Sequence, residues 1–209
     1  MPLSPLPVEF YEQPVVDAAR ALLGMRLVRC LVSESGSARL SGIISETEAY
    51  EGESDLACHA RAGRTPRTET MYGPPGRAYI YFIYGMHWML NAVTGPVGFP
   101  AAVLIRAILP EEGLDEMARR RARTPMREWT SGPAKLCKAL GIDRTQNGVD
   151  LTDPSGPLWI AQGAAVPDGA VITGPRVGID SVPEPWRSKP WRFQIDLQSW
   201  NPAPGSYRV

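Results

Sequence analysis

Only three cysteines occur in the chain, Cys30, Cys58 and Cys137, and no two of them form a Cys-x-x-Cys pair. An odd, scattered set speaks against a disulfide frame or a zinc site and points to buried thiols in a reducing compartment. Net charge is also missing, with 22 basic and 22 acidic residues, and taken alone that argues against a nucleic-acid partner. The start, Met1-Pro2-Leu3-Ser4-Pro5, lacks both the basic segment and the apolar core of a signal peptide. The expectation is a protein that stays in the cell, in the cytoplasm or in the nucleus of a eukaryote. Between Arg77 and Arg106 there is no charged residue at all, which imitates a membrane span. Tyr84-Gly85, Asn91, Thr94-Gly95-Pro96, Gly98 and Pro100 interrupt it, and they would leave backbone groups unsatisfied in lipid. The interval therefore reads as two or three buried strands, with no membrane partner.

What is present suffices for one domain. A chain of 209 residues that is 44% hydrophobic can build one sizeable core, so residues 1–209 read as a single domain with 1–7 as an extended lead. Its 20 glycines and 21 prolines are scattered as single punctuation, which suits a loop-rich globular fold. The zero net charge conceals a pattern. Residues 1–55 hold 4 basic and 9 acidic side chains, residues 56–145 hold 13 and 7, and residues 146–209 hold 5 and 6. Patches rather than totals attract phosphates, so the middle of the chain reopens the nucleic-acid question.

Pro14, an apolar stripe and Gly24 predict a short helix over 14–24. Residues 25–32 and 40–50 read as an antiparallel pair turned at Glu34-Ser35-Gly36-Ser37. Strand alternation then puts Ile44, Glu46, Glu48 and Tyr50 on one face and Ile43, Ser45, Thr47 and Ala49 on the other. Two acids in a row on one face mean either a solvated edge or a wet, functional cleft. Residues 51–75 have no clear period and carry Asp55, His59, Arg61, Arg64 and Arg67. A loop this long in a compact domain is usually functional. A single histidine such as His59 can be structural or catalytic, and the arginines can be a solvated face or phosphate contacts.

Residues 78–94 read as a second hairpin, with Tyr79, Tyr81 and Ile83 on one face, Ile80 and Phe82 filling the other, and Tyr84 at the tip. A tyrosine at a tip is either decorative or there to be inserted into a partner. Residues 100–109 form a buried strand interrupted by Arg106, which must reach water or a carboxylate, and Glu46 and Glu48 are the candidates. Residues 111–121 start acidic and end basic, as a helix dipole favours. Residues 131–141 read as a helix capped by Ser131 and ended by Gly141. Short strands around 158–161, 170–173, 176–179 and 191–195 look like structural closure.

Several spaced motifs agree on one resemblance. Glu46-Thr47-Glu48-Ala49-Tyr50-Glu51-Gly52, His59, Thr65-Pro66-Arg67, Tyr79-Ile80-Tyr81-Phe82-Ile83-Tyr84-Gly85-Met86, Asn91, Leu104-Ile105-Arg106-Ala107 and Ser131-Gly132-Pro133-Ala134-Lys135-Leu136 run in order. The pattern resembles the alkyladenine (3-methyladenine) DNA glycosylase family over nearly the whole chain. The resemblance implies a single mixed α+β domain, a mostly antiparallel curved β-sheet with flanking helices and a protruding β-hairpin. It also implies hydrolysis of the N-glycosidic bond of an alkylated or deaminated purine in damaged double-stranded DNA, by a monomer with no metal or other cofactor. Glu48 matches the general base and Arg106 the arginine that helps hold the water, with the Val177 carbonyl as a third contact. Tyr50, His59 and Tyr81 match the walls of the base pocket, and Asn91 the residue that excludes the guanine amino group. Tyr84 matches the intercalating wedge, and Met86, Arg64 and Arg67 join it as DNA contacts. No lysine matches a Schiff-base position, so strand cleavage is not expected.

The chain departs from the family at His87, where some relatives have an aromatic, and in a loop between His59 and Tyr81 one residue shorter than in mammalian members. These bear on lesion range and DNA footprint. A catalytically silent damage-binding domain of the same fold is the main alternative, although it would have no reason to keep Glu48 and Arg106 together. A sugar hydrolase using Glu46 and Glu48 fails on geometry, because side chains two apart on one strand face cannot flank a bond.

Overall fold

The computed structural model describes residues 3–33 and 36–200. Four α-helices and eight strands fold as one mixed α+β domain. Helices α1 (Val8–Glu12) and α2 (Val15–Ala21) lead into β1 (Arg26–Ser33), β2 (Gly36–Glu51), β3 (Ala78–Ile83), β4 (His87–Thr94) and β5 (Ala101–Glu112). Helices α3 (Leu114–Arg120) and α4 (Pro133–Leu140) follow, then β6 (Leu158–Ala161), β7 (Val171–Gly174) and β8 (Arg192–Ile195). The sheet runs β3-β4-β5-β2-β1-β6, every pair antiparallel, and β8 joins β2 to β7.

The long strand β2 is shared between neighbours. Its first half pairs with β1, from Gly36 to Ile43, and Glu46 to Glu48 pair with β8, while β5 lies along its other edge. One face of the sheet carries the main core, where Leu40, Ile44, Ala49, Val103 and Ile105 meet Leu22, Met117, Leu136 and Leu140 of the helical layer. Each fully buried Leu or Ile there contributes roughly 1.5–3 kcal/mol. The opposite face is covered by the 51–75 segment, which packs Cys58, Ala60, Met71 and Tyr72 onto Tyr79, Val93 and Ala102. The candidate site lies on that second face.

Regular alternation along β2 does not hold. Ile44 sits in the helix-side core with Ala49, and Thr47 Oγ1 donates to the Ala19 carbonyl at 2.7 Å. Residues of even and odd number thus share one face, because register shifts fall on either side of Glu46. Ile44 pairs with Ile108, Glu46 with Ala107 and Thr47 with Ile105, so Ser45 and Arg106 are the extra residues. Such bulges re-aim side chains. Here they let Glu46, Glu48 and Tyr50 leave the core face while Ile44 stays on it.

Other boundaries differ from the sequence reading for local reasons. Strand β5 continues through Glu111 and Glu112, so the helix expected over 111–121 begins at Leu114. Gly113 makes the corner at φ 75°, where an added Cβ would lie 2.8 Å from the Arg39 carbonyl oxygen. Helix α4 is preceded by Gly132 rather than capped by the Ser131 side chain. Helix α1 follows the 1–7 lead, where the sequence reading set no element, and residues 176–179 form a turn, not a strand. Of the turn expected at 34–37, Glu34 and Ser35 lie outside the described residues, and Gly36 already belongs to β2.

Candidate active site

A cleft of about 790 Å³, its open mouth included, lies between the β3–β4 hairpin, the 51–75 segment and the turn after β7. Its walls include Tyr50, His59, Tyr81, Asn91, Arg106 and Val177. Tyr50, His59, Tyr81, Asn91 and Arg106 came from the motifs and Val177 from the family resemblance, and the fold gathers them from six places along the chain.

Glu48 lies behind this wall with no exposed surface. Its carboxylate is held by three donors from three parts of the chain. The Val177 N–H donates to Oε1 at 2.7 Å, the Tyr50 hydroxyl donates to Oε2 at 2.8 Å, and Arg106 Nη1 lies 3.2 Å from Oε2. Val177 thus meets Glu48 through its amide nitrogen, whereas the expectation concerned its carbonyl and the water. Burial raises the Glu48 pKa above the ordinary carboxylate value, and Arg106, the Val177 N–H and Tyr50 oppose it without cancelling it. Arg106 is held from its other side by Glu46, whose Oε1 accepts from Nε at 2.8 Å. Arg192 reaches the same Glu46 oxygen at 3.3 Å. Burial works against the Arg106 charge, but Glu48 and Glu46 outweigh it and keep the guanidinium firmly protonated.

The ring wall is built on β2 and β3. Tyr79 and Tyr81 share a face, as the strand period requires, with ring centroids 5.5 Å apart. His59 sits on a short 3₁₀ turn, edge-on to Tyr81 at 4.3 Å, and its Nδ1 is 3.1 Å from the Tyr79 hydroxyl. Burial, with Arg67 and Arg61 nearby, lowers its pKa to about 4, so His59 is neutral at physiological pH. Asn91 is buried on β4 and donates from Nδ2 to the Tyr79 carbonyl at 3.0 Å. Among the described residues, no three His, Cys, Asp or Glu side chains gather as a metal site.

The hairpin tip has a different character. Tyr84 is 78% exposed and Met86 67% exposed. Tyr84 and Gly85 take φ 54° and 67°, and the Met86 N–H donates to the Ile83 carbonyl at 3.2 Å, as in a type I′ turn. Gly85 adopts this conformation freely, whereas Tyr84 is strained there by roughly 1–2 kcal/mol. Phe82, expected to fill the inner face, is half-exposed and packs on Trp88 at 4.6 Å. Of the loop arginines, Arg67 lies over the Tyr81 ring at 5.4 Å. Arg64 is already forked onto Glu69, with Nε 2.9 Å from Oε2.

Motif reading did not single out Asp55 or Arg176, which sit immediately behind the wall. Both side chains are fully buried, and the guanidinium meets the carboxylate at 2.5 and 2.9 Å. Nothing in the sequence links residues 121 positions apart. The usable signal was that each lies within a few residues of a motif position, Tyr50 or Val177.

A protein from Myxococcus xanthus provisionally named a 3-methyladenine DNA glycosylase is 47% identical over 203 residues, covering 96% of each chain. Proteins of the same provisional name are 47% identical over 192 residues in Bacillus licheniformis, covering 91% of this chain and 93% of the relative, and over 189 in Methanocella arvoryzae, covering 90% of each. The methylpurine-DNA glycosylase family model matches residues 9–199, and the chain belongs to that family of DNA repair glycosylases.

Proposed function

We propose that the protein is a monofunctional DNA glycosylase. It flips an alkylated or deaminated purine out of damaged double-stranded DNA and hydrolyses its N-glycosidic bond with water activated by Glu48. The observation that carries this reading is the buried Glu48 carboxylate, held by Arg106, Tyr50 and Val177 directly behind an aromatic cleft. A carboxylate offers about four lone-pair directions. The Tyr50 hydroxyl takes one on Oε2, which Arg106 also meets as an ion pair, and the Val177 N–H takes one on Oε1, so the other direction on Oε1 is where a water can give up its proton. Arg106 favours the ionised form of Glu48 against burial and orients it, and the attack leaves the sugar inverted.

Tyr50 and Tyr81 offer ring faces to the purine. A purine methylated at a ring nitrogen is cationic, and such a contact is worth about 0.5–2 kcal/mol. A neutral lesion such as hypoxanthine gains no such attraction and depends on hydrogen bonds. The Tyr79 hydroxyl beside Nδ1 leaves His59 Nε2 available to the cleft, and a neutral His59 serves there as a hydrogen-bond partner. Asn91 stands against the exocyclic amino group of guanine. Tyr84 fills the space that the flipped nucleotide vacates, with Met86 beside it, and Arg67 takes a phosphate more readily than Arg64, whose fork Glu69 already fills. Base release is proposed to leave the strand uncut, since no lysine in the motifs matches a Schiff-base position. The reading takes the protein to act as a monomer.

The test is base release under single-turnover conditions from a duplex carrying one hypoxanthine or ethenoadenine, with 3-methyladenine as the third lesion. Glu48→Gln is expected to bind the duplex yet cut about 10²–10⁴-fold more slowly than the native protein. Native protein that binds all three lesions and releases none would instead favour a damage-binding domain of the same fold.

A further inference from the structure

The buried pair Asp55–Arg176 connects three parts of the site: the end of β2, the start of the 51–75 segment and the turn after β7. Asp55 accepts the Glu51 N–H at 3.2 Å and the Ala57 N–H at 3.0 Å, and so ties down the start of the segment that carries His59. Arg176 donates to the Ala49 carbonyl at 2.9 Å and to the Trp186 carbonyl at 3.2 Å. Its guanidinium lies over the Tyr50 ring at 4.8 Å and over Trp191 at 5.1 Å. Lys189 continues the stack, with Nζ 3.9 Å from the Trp191 centroid and 3.8 Å from that of Trp186. A ladder of cations and rings thus runs inward to Tyr50 and covers the ring from behind. The residue after Arg176 is Val177, whose N–H holds Glu48.

We propose that Asp55 and Arg176 are the positioning pair of this site, one ion pair that sets the Tyr50 wall and the Val177 amide together. The proposal rests on the glycosylase reading. Neither residue touches the purine or the water; each acts through its neighbours. Two independent pockets of order would let the base slot and the catalytic carboxylate drift relative to each other. A single buried fork, whose five donors are fixed in a plane, prevents that drift. Arg176 also occupies one face of Tyr50, so the purine has only the other, and Asp55 neutralises the charge that would otherwise repel a cationic base from that ring.

The test compares Asp55→Asn and the double variant Asp55→Asn/Arg176→Met with native protein. The double variant removes both charges at once and so avoids leaving one stranded in the interior. Circular dichroism melts establish folding, and binding to undamaged duplex, which Tyr84 and the surface arginines govern, is expected to stay at the native level. Single-turnover release of hypoxanthine is expected to fall about a hundredfold, the scale of a small misplacement of reacting groups.

The acid limb of the rate profile is expected to move to higher pH. Glu48 then loses the Val177 N–H while Glu46 and Tyr50 on β2, Arg106 on β5, Tyr81 on β3 and Arg192 on β8 still face it. A merely structural pair would change the melt and leave that limb in place. Folded variants with native rate and limb overturn the proposal, as does failure of both variants to fold. Native protein that releases no purine overturns the glycosylase reading as well, which distinguishes the two failures.

Discussion

The two functional ends of this molecule are built in opposite ways. The Glu48 carboxylate is wholly buried under contacts from β2, β5 and the turn after β7. At the β3–β4 tip, Tyr84 and Met86 stand in solvent on a strained turn with nothing packed against them. Under the proposed function, the difference follows from what each end would have to meet. A general base must have its orientation and charge settled before substrate arrives, since reorganisation at the moment of reaction costs rate. A wedge has no partner until a base leaves the stack, so its apolar surface has to remain unsatisfied in the free protein.

This contrast can be broken most severely at the buried end. Arg106→Met leaves Glu46 and Glu48 facing each other with their shared cation removed, and it is expected to cost about 3–5 kcal/mol of stability. Urea unfolding at neutral pH measures it, and an unchanged midpoint would mean that the two acids do not depend on Arg106. Base release should be lost as well, because Glu48 then favours its protonated form.

The tip should respond with the opposite sign. Tyr84→Gly relieves the positive φ and is expected to raise stability by about 1 kcal/mol, while lesion-duplex affinity falls by about 1–3 kcal/mol as stacking is lost. A variant that loses stability would show that Tyr84 packs on the protein after all.

The wall between the two ends is expected to respond gradually, through pH. His59 falls from 6.5 to about 4 in the fold. The unfolded chain therefore binds the extra proton first, and native stability should decline as pH drops through that window, by at most about 1.4 kcal/mol per unit. His59→Asn is expected to flatten the decline, read from melts between the two values. A slope identical to that of native protein would mean that His59 titrates normally.

How far the sequence carried can be judged residue by residue. Chain-local information was enough to place Tyr79 and Tyr81 on one strand face, Tyr84 at a turn, Asp115, Glu116, Arg119 and Arg120 at the proper ends of α3, and Arg106 opposite a carboxylate. Periodicity, turn chemistry and the refusal of guanidinium to lose its proton all act over a few residues, so they can be read from the sequence. The motif string from Glu46 to Leu136 carried the family as well, because several spaced identities agreed at once.

What remained hidden depends on distance along the chain or on a one-residue irregularity. The bulges at Ser45 and Arg106 have no composition of their own; they arise because β2 must serve the helical core at Ile44 and the cleft at Glu48 on consecutive turns of the pleat. The turn at 176–179 looks like one more short strand until β7 and β8 pair and bring Val177 to Glu48 and Arg176 to Asp55. The sequence by itself determined which chemical groups are available and, where a strand is regular, which face each occupies. Only the tertiary structure decided how they are held. Burial that shifts Glu48 and His59, and the ion pair that aligns the site, are properties of neighbours far apart in sequence, and those neighbours exist only once the sheet has closed around them.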